Sequence, residues 1–562
     1  MSGRSTVVGL GQRQSAGHNI PSHLSTFVRW LSVFVGLICM SSVALANGSP
    51  YVAPTSDQIL NSPKKVFVHY VFSPLQYSKT DYWPNSVCLN YITPAWVPAS
   101  AGNQRLCPAA PITGGANSSY IIDNLKTEIT RMIARGINGI ALDLFSICDW
   151  SQSGAGCIHN PGCGGVGGCA GTLINLLNAA AAVDSRFKIL PMPDMTAGIK
   201  PTDLPNLWTA AIGGTTIYNH PNIYRWGDAN NHPELSPYCT ECFPASQYSA
   251  AFATMKANGT PISWAPVFGS LGCNGSRGGC VFSPYVTLPT VSMGGGEGVN
   301  TDPAAASRDF SHMGGSSGGP PYGGGTPINW VGTPNIFGGM SPQAYQSAGG
   351  QVREAQNSLA YRTQWEAQIA LGSSLGNIMV FTWNDFGEST AIEQSQNQYN
   401  EPSIGFYDLT GYYTTWWRNG TAPAIKNDAI MYFYRRQTYL AAHNAAIAGL
   451  TKPPTMVSYM KPTDNIEMVA FLSSPATLSI TVKGVATKQS GKTGLNVFTI
   501  PLVNGTPVFS IVRNGATTLS LTGIQTYGSG QIPAQEVPGV TWCKPCFPAG
   551  IPDPAYYSGD TF

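Results

Sequence analysis

Asn377-Ile-Met-Val-Phe-Thr-Trp-Asn-Asp-Phe-Gly-Glu-Ser-Thr390 is an apolar run that ends in two carboxylates, Asp385 and Glu388. Ile378 to Phe381 reads as a strand buried on both faces, with the polar cluster Thr382 to Ser389 at its C-terminal end. That is where α/β barrels keep their chemistry. Two acids three residues apart, flanked by Trp383 and Phe386, supply a proton donor, a proton acceptor and an aromatic surface for a sugar ring. The bland alternative is a surface turn with two solvated acids.

Upstream, the chain alternates strands and helices. Val66 to Phe72 reads as the first buried strand, with His69 near its C-terminal half, either at a barrel mouth or as a satisfied core histidine. A helix capped by Ser118 or Ser119 runs to Arg135, its apolar stripe being Ile121, Ile122, Leu125, Ile129, Met132 and Ile133, and Gly136 stops it. Ile137 to Phe145 is the second strand, completing a βαβ unit. Asp143 lies inside it, so it faces the mouth or has a salt-bridge partner. A helix from Thr172 to Val183 leads to the third strand, Lys188 to Met195, ending in Asp194, which is a site carboxylate or a loop cap before Thr196.

Asn222 to Tyr238 holds a fourth strand and Pro261 to Phe268 a fifth. Residues 269–330 are Gly-, Ser- and Pro-rich, with only Val286 to Val291 strand-like, and read as an enlarged loop region or a disordered insertion. Pro334 to Ser341 is a seventh strand, and a helix from Val352 to Leu371 leads into the eighth, which carries the motif. An aromatic helix, Ala424 to Asn444, closes the barrel, and Tyr407, Tyr412, Tyr413, Trp416 and Trp417 are either sugar-stacking surface or core. Beyond a Pro-rich linker the rhythm becomes period two, as in a β-sandwich. The expected fold is therefore α/β, a (β/α)8 TIM-like barrel followed by a small C-terminal β-sandwich. The expected domains are a signal peptide over 1–46, an extended arm over 47–63, the barrel over 64–450, the sandwich over 451–524 and an irregular Cys-containing tail over 525–562.

Composition points to export. Charged residues are only 10% of the chain, against 63 Gly and 43 Pro, which suits a loop-rich secreted protein. A net charge of +2 argues against a dedicated nucleic-acid binder. Arg29, the apolar stretch Trp30 to Ala44, and Ala44-Leu45-Ala46 read as a secretory signal cleaved after Ala46, an uncleaved anchor being the alternative. Cleavage removes Cys39 from the thirteen cysteines and leaves twelve, an even number suited to disulfides. Cys239/Cys242, Cys273/Cys280 and Cys543/Cys546 suggest local bridges, although Cys239-x-x-Cys242 and Cys543-x-x-Cys546 also have zinc-like spacing. Glycosylation sequons begin at Asn117, Asn258, Asn274, Asn419 and Asn504.

The motif Trp383-Asn-Asp-Phe-Gly-Glu-Ser389 resembles the Trp-Asn-Asp-Tyr-Gly-Glu-Ser signature of glycoside hydrolase family 71, the α-1,3-glucanases or mutanases, in six of seven positions. The resemblance extends more weakly from about Lys64 to Leu521 and is poorest across the Gly-rich stretch. It implies that Asp385 and Glu388 are the catalytic pair, acting with inversion on α-1,3-glucan. Glu388 is assigned general acid and Asp385 general base, with the reverse open. His69, Asp143, Asp194, Trp383 and Asn384 are the candidates for substrate positioning. This chemistry requires no metal or organic cofactor. The expected partner is a polysaccharide rather than nucleic acid, with no stable membrane insertion after cleavage, and the expected state is a secreted monomer. Two other readings stand beside it: an endo-acting α-mannosidase like those of family 99, and a non-catalytic secreted polysaccharide-binding protein.

Overall fold

The computed structural model describes residues 49–70, 106–108, 120–144, 168–225, 231–264, 337–340, 345–347, 351–353, 355–370, 377–380, 382–384, 391–397, 402–441, 455–456, 463–534 and 556–562. All of them belong to one compact unit, Ser49–Phe562. The signal region, the Gly-rich stretch 269–330, the candidate sixth strand, Asp385 and Glu388 lie outside the described residues.

The chain enters through a short helix, α1 (Ser56–Leu60), where an extended arm was expected. Its signal is a capping box: the Thr55 hydroxyl accepts from the Gln58 N–H at 3.2 Å, and Gln58 Oε1 accepts from the Thr55 N–H at 2.9 Å. The βαβ alternation then follows: β1 (Lys65–Tyr70), α2 (Tyr120–Ala134), β2 (Gly139–Leu144), α3 (Gly168–Val183) and β3 (Lys188–Pro193). Gly136, at φ +81°, turns the chain from α2 into β2, a backbone region that a glycine enters without strain. β4 (Glu234–Leu235), α4 (Ala245–Ala257), β5 (Ser263–Trp264), β6 (Phe337–Met340), α5 (Leu359–Ala370) and β7 (Asn377–Val380) complete this half. The helix expected from Val352 begins only at Leu359, because Gln351–Arg353 is a strand and Gln356 and Asn357 take positive φ.

Five strands form a parallel sheet in the order β6-β7-β1-β2-β3. Its register sets Phe67 beside Met379 and Gly139, Ala141 beside Leu190, and Asp143 beside Met192. Past β3 the parallel direction continues: the Ser236 and Tyr238 N–H groups donate to the Pro191 and Pro193 carbonyls, and β4 pairs in parallel with β5. Alternate residues face opposite ways, as in any strand. Val66, Val68, Tyr70, Ile140, Leu142, Ile378 and Val380 pack against the helices, whereas Phe67, Ala141, Leu190, Met192, Met379 and Tyr224 form a separate cluster on the other face. On that inner face a Cβ at Gly139 would run into the Lys188 carbonyl oxygen and the Phe67 ring. Gly139→Val is expected to destabilise the fold by about 1–3 kcal/mol through overpacking, read as a lower chemical-denaturation midpoint; an unchanged midpoint contradicts it.

The second half corrects two expectations. Helix α6 spans Gly405–Asn419, and the expected aromatic helix Ala424 to Asn444 is instead a strand, β8 (Ala429–Tyr434). β8 pairs antiparallel with β9 (Asn465–Leu472), so the sheet expected past residue 451 already includes Ala429. Both faces of β8 are buried, which accounts for its unbroken apolar spelling. Ile430, Tyr432 and Tyr434 meet Leu478, Ile480, Phe509 and Ile511 of a four-stranded antiparallel sheet, formed by β10 (Ala476–Val482), β11 (Val485–Gly491), β13 (Val508–Arg513) and β14 (Ala516–Thr522). Met431 and Phe433 pack in the main core with Phe406 and Tyr413 of α6. β12 (Gly494–Pro501) lies beside β9. The expected irregular tail also supplies a strand, β15 (Tyr557–Asp560), which inserts between β8 and the short strand Pro402–Ser403. Tyr407, Tyr412, Tyr413 and Trp417 are core residues of α6 rather than sugar surface.

Candidate active site

Three of the expected site residues stand on the inner face of neighbouring parallel strands, at or just past their C-terminal ends. His69 follows Phe67 on β1, Asp143 follows Ala141 on β2, and Asp194 follows Met192 just past β3. All three are buried. Strand pairing places His69 beside Ala141, one step below Asp143, and His69 Nε2 lies 3.2 Å from Asp143 Oδ2. The other carboxylate oxygen, Asp143 Oδ1, is buried and accepts no hydrogen bond among the described residues. An acceptor left open in this way above an apolar floor is suited to a hydroxyl-bearing ligand. Asp194 caps the turn that follows it: Oδ1 accepts from the Thr196 N–H at 2.7 Å and from the Thr196 hydroxyl at 2.6 Å. Next to it, Cys239 and Cys242 form a disulfide, which removes both thiolates as zinc ligands. Among the described residues no group of three or more His, Cys, Asp and Glu side chains could hold a metal ion.

The motif leaves β7 with a one-residue slip. The Val68/Val380 register would bring the N–H of residue 382 to the His69 carbonyl, but it is the Trp383 N–H that donates there, at 2.7 Å. A slip of one residue turns side chains to the opposite face. Trp383 accordingly points away from the mouth into the main core, 0% exposed, with its ring edge-on to Tyr407 at 6.1 Å. The expectation that Trp383 offers a stacking face to substrate is corrected on that ground. Asn384 is buried as well. Beyond it the chain returns at Ala391, and two backbone bonds close the neck: Ile392 N–H to the Thr382 carbonyl at 3.0 Å and Glu393 N–H to the Trp383 carbonyl at 2.8 Å. In sequence, Asp385 and Glu388 fall between Asn384 and Ala391, outside the described residues.

Behind the neck lies a feature that the sequence reading passed over. Glu128 of α2 and Glu393 are both buried in the outer layer, and the Tyr70 hydroxyl donates to Glu128 Oε2 at 2.8 Å. A signal for Glu128 was available: it sits three residues after Leu125 and four before Met132, on the apolar stripe of its helix. Burial pushes the Glu128 carboxyl up to about 7, and burial together with the charge of Glu128 pushes Glu393 well above the usual range. The folded state thus holds protons that the unfolded chain releases, and stability falls as pH rises from the ordinary glutamate range through about 7. Thermal melts of Glu393→Gln are expected to exceed the parent at pH 8 and to converge with it at pH 5. A constant offset at both pH values contradicts this.

The Asp385-Phe-Gly-Glu388 spelling lies in sequence between the two sides of the neck. Residues 336–534 match glycosyl hydrolase family 71. The family 71 match starts at the edge of β6, includes the motif and its neck, and runs through β8 to β14 but stops before β15; β1 to β5, with His69, Asp143 and Asp194, precede it. The chain is 30% identical over 173 residues to the glucan endo-1,3-alpha-glucosidase agn1 of Schizosaccharomyces pombe, covering 28% of this chain and 39% of that protein. It thus spans about two fifths of the length of the curated relative it matches. Among solved structures it is similar to the GH99 endo-alpha-mannosidase from Bacteroides thetaiotaomicron, with TM-score 0.41, 12% identity, and coverage of 64% of this chain and 98% of that one. It is also similar to a glycosyl hydrolase family 2 member from Bacteroides cellulosilyticus, with TM-score 0.32, 11% identity, and coverage of 72% and 43%.

Proposed function

We propose that the chain is a secreted glycoside hydrolase that cleaves α-1,3-glucan with inversion, using Asp385 and Glu388. The observation that carries the reading is the family 71 match over the motif segment, joined through the Trp383–His69 backbone bond to a strand end that presents His69 and Asp143. The catalytic half is read as a closed eight-stranded barrel, with its mouth at the C-terminal strand ends. The accessory sheets shield its α6 side, and the leader is removed after Ala46.

Glu388 gives its proton to the departing glycosidic oxygen. Asp385 takes a proton from the water that attacks C1 on the opposite face of the ring, which requires the two carboxyls to stand roughly 6.5–9.5 Å apart. Asp143 Oδ1 accepts from a sugar hydroxyl while Oδ2 orients the His69 imidazole, so both act on the positioning of the ring. His69→Ala is expected to lower kcat/KM by about 10- to 100-fold, with the folded state intact by circular dichroism; a wild-type kcat/KM removes His69 from the site.

The reading is tested on the oxidised, secreted protein with linear glucans and mannans that differ only in linkage, assayed for new reducing ends. Release from α-1,3-glucan, with the β-anomer appearing first by proton NMR, is the expected result. Release from α-mannan alone moves the assignment to an endo-mannosidase. Binding to a glycan without turnover of any moves it to a binding protein.

A further inference from the structure

The neck described above has a side-chain counterpart. Its two segments carry Trp383 on one side and Glu393 on the other, both buried, with Trp383 against Tyr407 of α6 and Glu393 facing Glu128 of α2 and Tyr407. There Glu393 Oε2 is buried and has no hydrogen-bond partner among the described residues. Glu128 reaches the same place from α2, held by Tyr70 of β1 and touched by the Trp383 indole. Among the described residues, Arg131 of α2 faces both carboxyls and Tyr407 of α6 faces Glu393, with Arg135 and Asp408 beyond Tyr407. Arg135 is already bonded to Asp408, with Nε to Oδ1 at 2.7 Å, and the Tyr407 hydroxyl donates to the Arg131 carbonyl at 2.9 Å. Among the described residues Arg131 is therefore the cation shared by two buried carboxyls, and one negative charge is what it can balance.

We propose that Glu128 and Glu393 are positioning residues for the motif span: together they fix its neck from behind, and so fix where the catalytic pair enters the mouth. The proposal rests on the reading of Asp385 and Glu388 as catalytic. When the pair carries one negative charge, Arg131 and Tyr70 satisfy it and the Glu393 N–H stays on the Trp383 carbonyl. A second negative charge in this apolar layer repels the first, and Glu393 can relieve the repulsion only by moving, which strains the same backbone bond. The neck loosens with rising pH while the substrate-facing His69 and Asp143, on the other face of the sheet, stay where they are.

Hydrogen exchange and kinetics on the full chain test this together. In the parent, exchange of the 391–393 amides, corrected for the intrinsic rate, is expected to speed up by at least ~10-fold between pH 6 and pH 9. In Glu393→Gln and Glu128→Gln, which keep the shape and drop a charge, it stays flat. The alkaline limb of kcat is expected to move up by at least ~1 pH unit in the Gln variants, with KM within about 2-fold, because the substrate contacts are untouched. Glu393→Ala, if it folds, is expected to lose kcat at every pH, with rescue in Glu393→Gln. Exchange that is the same in the parent and the Gln variants, or superimposable kcat profiles, overturns the proposal. If no glycan in the panel is turned over, the functional reading fails, and exchange alone decides whether the pair holds the neck.

Discussion

Glu388→Gln is expected to lower kcat on α-1,3-glucan by about 10²- to 10⁴-fold, the range over which a positioned general acid contributes. Gln fills the same volume and keeps one acceptor, but has no proton to give the leaving oxygen. The loss is expected to shrink on an α-glucoside whose leaving group departs as a stable anion, since that bond breaks without protonation. Asp385→Asn is expected to lose a comparable factor on both substrates, because activation of the water is needed whichever group leaves. The contrast between the two variants on the two substrates assigns the roles. If Glu388→Gln is equally impaired on both while Asp385→Asn recovers on the activated substrate, the acid and base exchange places. Turnover like the parent's in both variants would mean that the motif is not the catalytic site.

Arg135→Ala is expected to cost about 3–5 kcal/mol of stability, the range found when one partner of a buried ion pair is removed. Asp408 is almost fully buried on α6, and its carboxylate accepts from Arg135 Nε at 2.7 Å. The Arg135 guanidinium also lies over the Tyr407 ring, 4.5 Å from its centroid, and Tyr407 in turn supports Trp383. Asp560 on β15 sits beside the same carboxylate; burial and the nearby Asp408 charge hold its carboxyl well above the usual range, so it stays protonated. Without Arg135 the Asp408 charge is left in the core beside uncharged neighbours, Asp560, Tyr51 and Tyr407. Urea denaturation of Arg135→Ala, Asp408→Asn and the double variant gives the coupling directly. The double variant is expected to recover part of the loss; full additivity would show that the pair contributes no coupling.

The contrast between β7 and β8 shows what the sequence could reveal. Strand ends where an acid or histidine follows an apolar run, as at His69, Asp143 and Asp194, were readable because a polar group buried in such a run needs a partner or a use. Ala429 to Tyr434 was misread as helix because its unbroken apolar spelling has no period, and a strand buried on both faces looks the same as a short core helix. Only the pairing with β9 and the two clusters on its faces decide it. The position of Trp383 was hidden for a different reason. A one-residue slip leaves no trace in the spelling, yet it reverses the face of every side chain after it. Glu128 was visible as a charge on an apolar stripe, but its partner Glu393 comes to it only through the fold.

The last described strand also dictates an order of events during synthesis. β15 lies between Pro402–Ser403 and β8, so the middle of the large sheet is filled by residues 557–560, well after residue 534, where the family 71 match ends. A nascent chain that has emerged only that far has its motif and both partners of the Arg135–Asp408 pair, yet β8 still presents an open edge to whatever strand it meets first. The sheet closes only once the distal segment leaves the ribosome, and a terminator or protease that removes it leaves that edge exposed to pairing with another molecule.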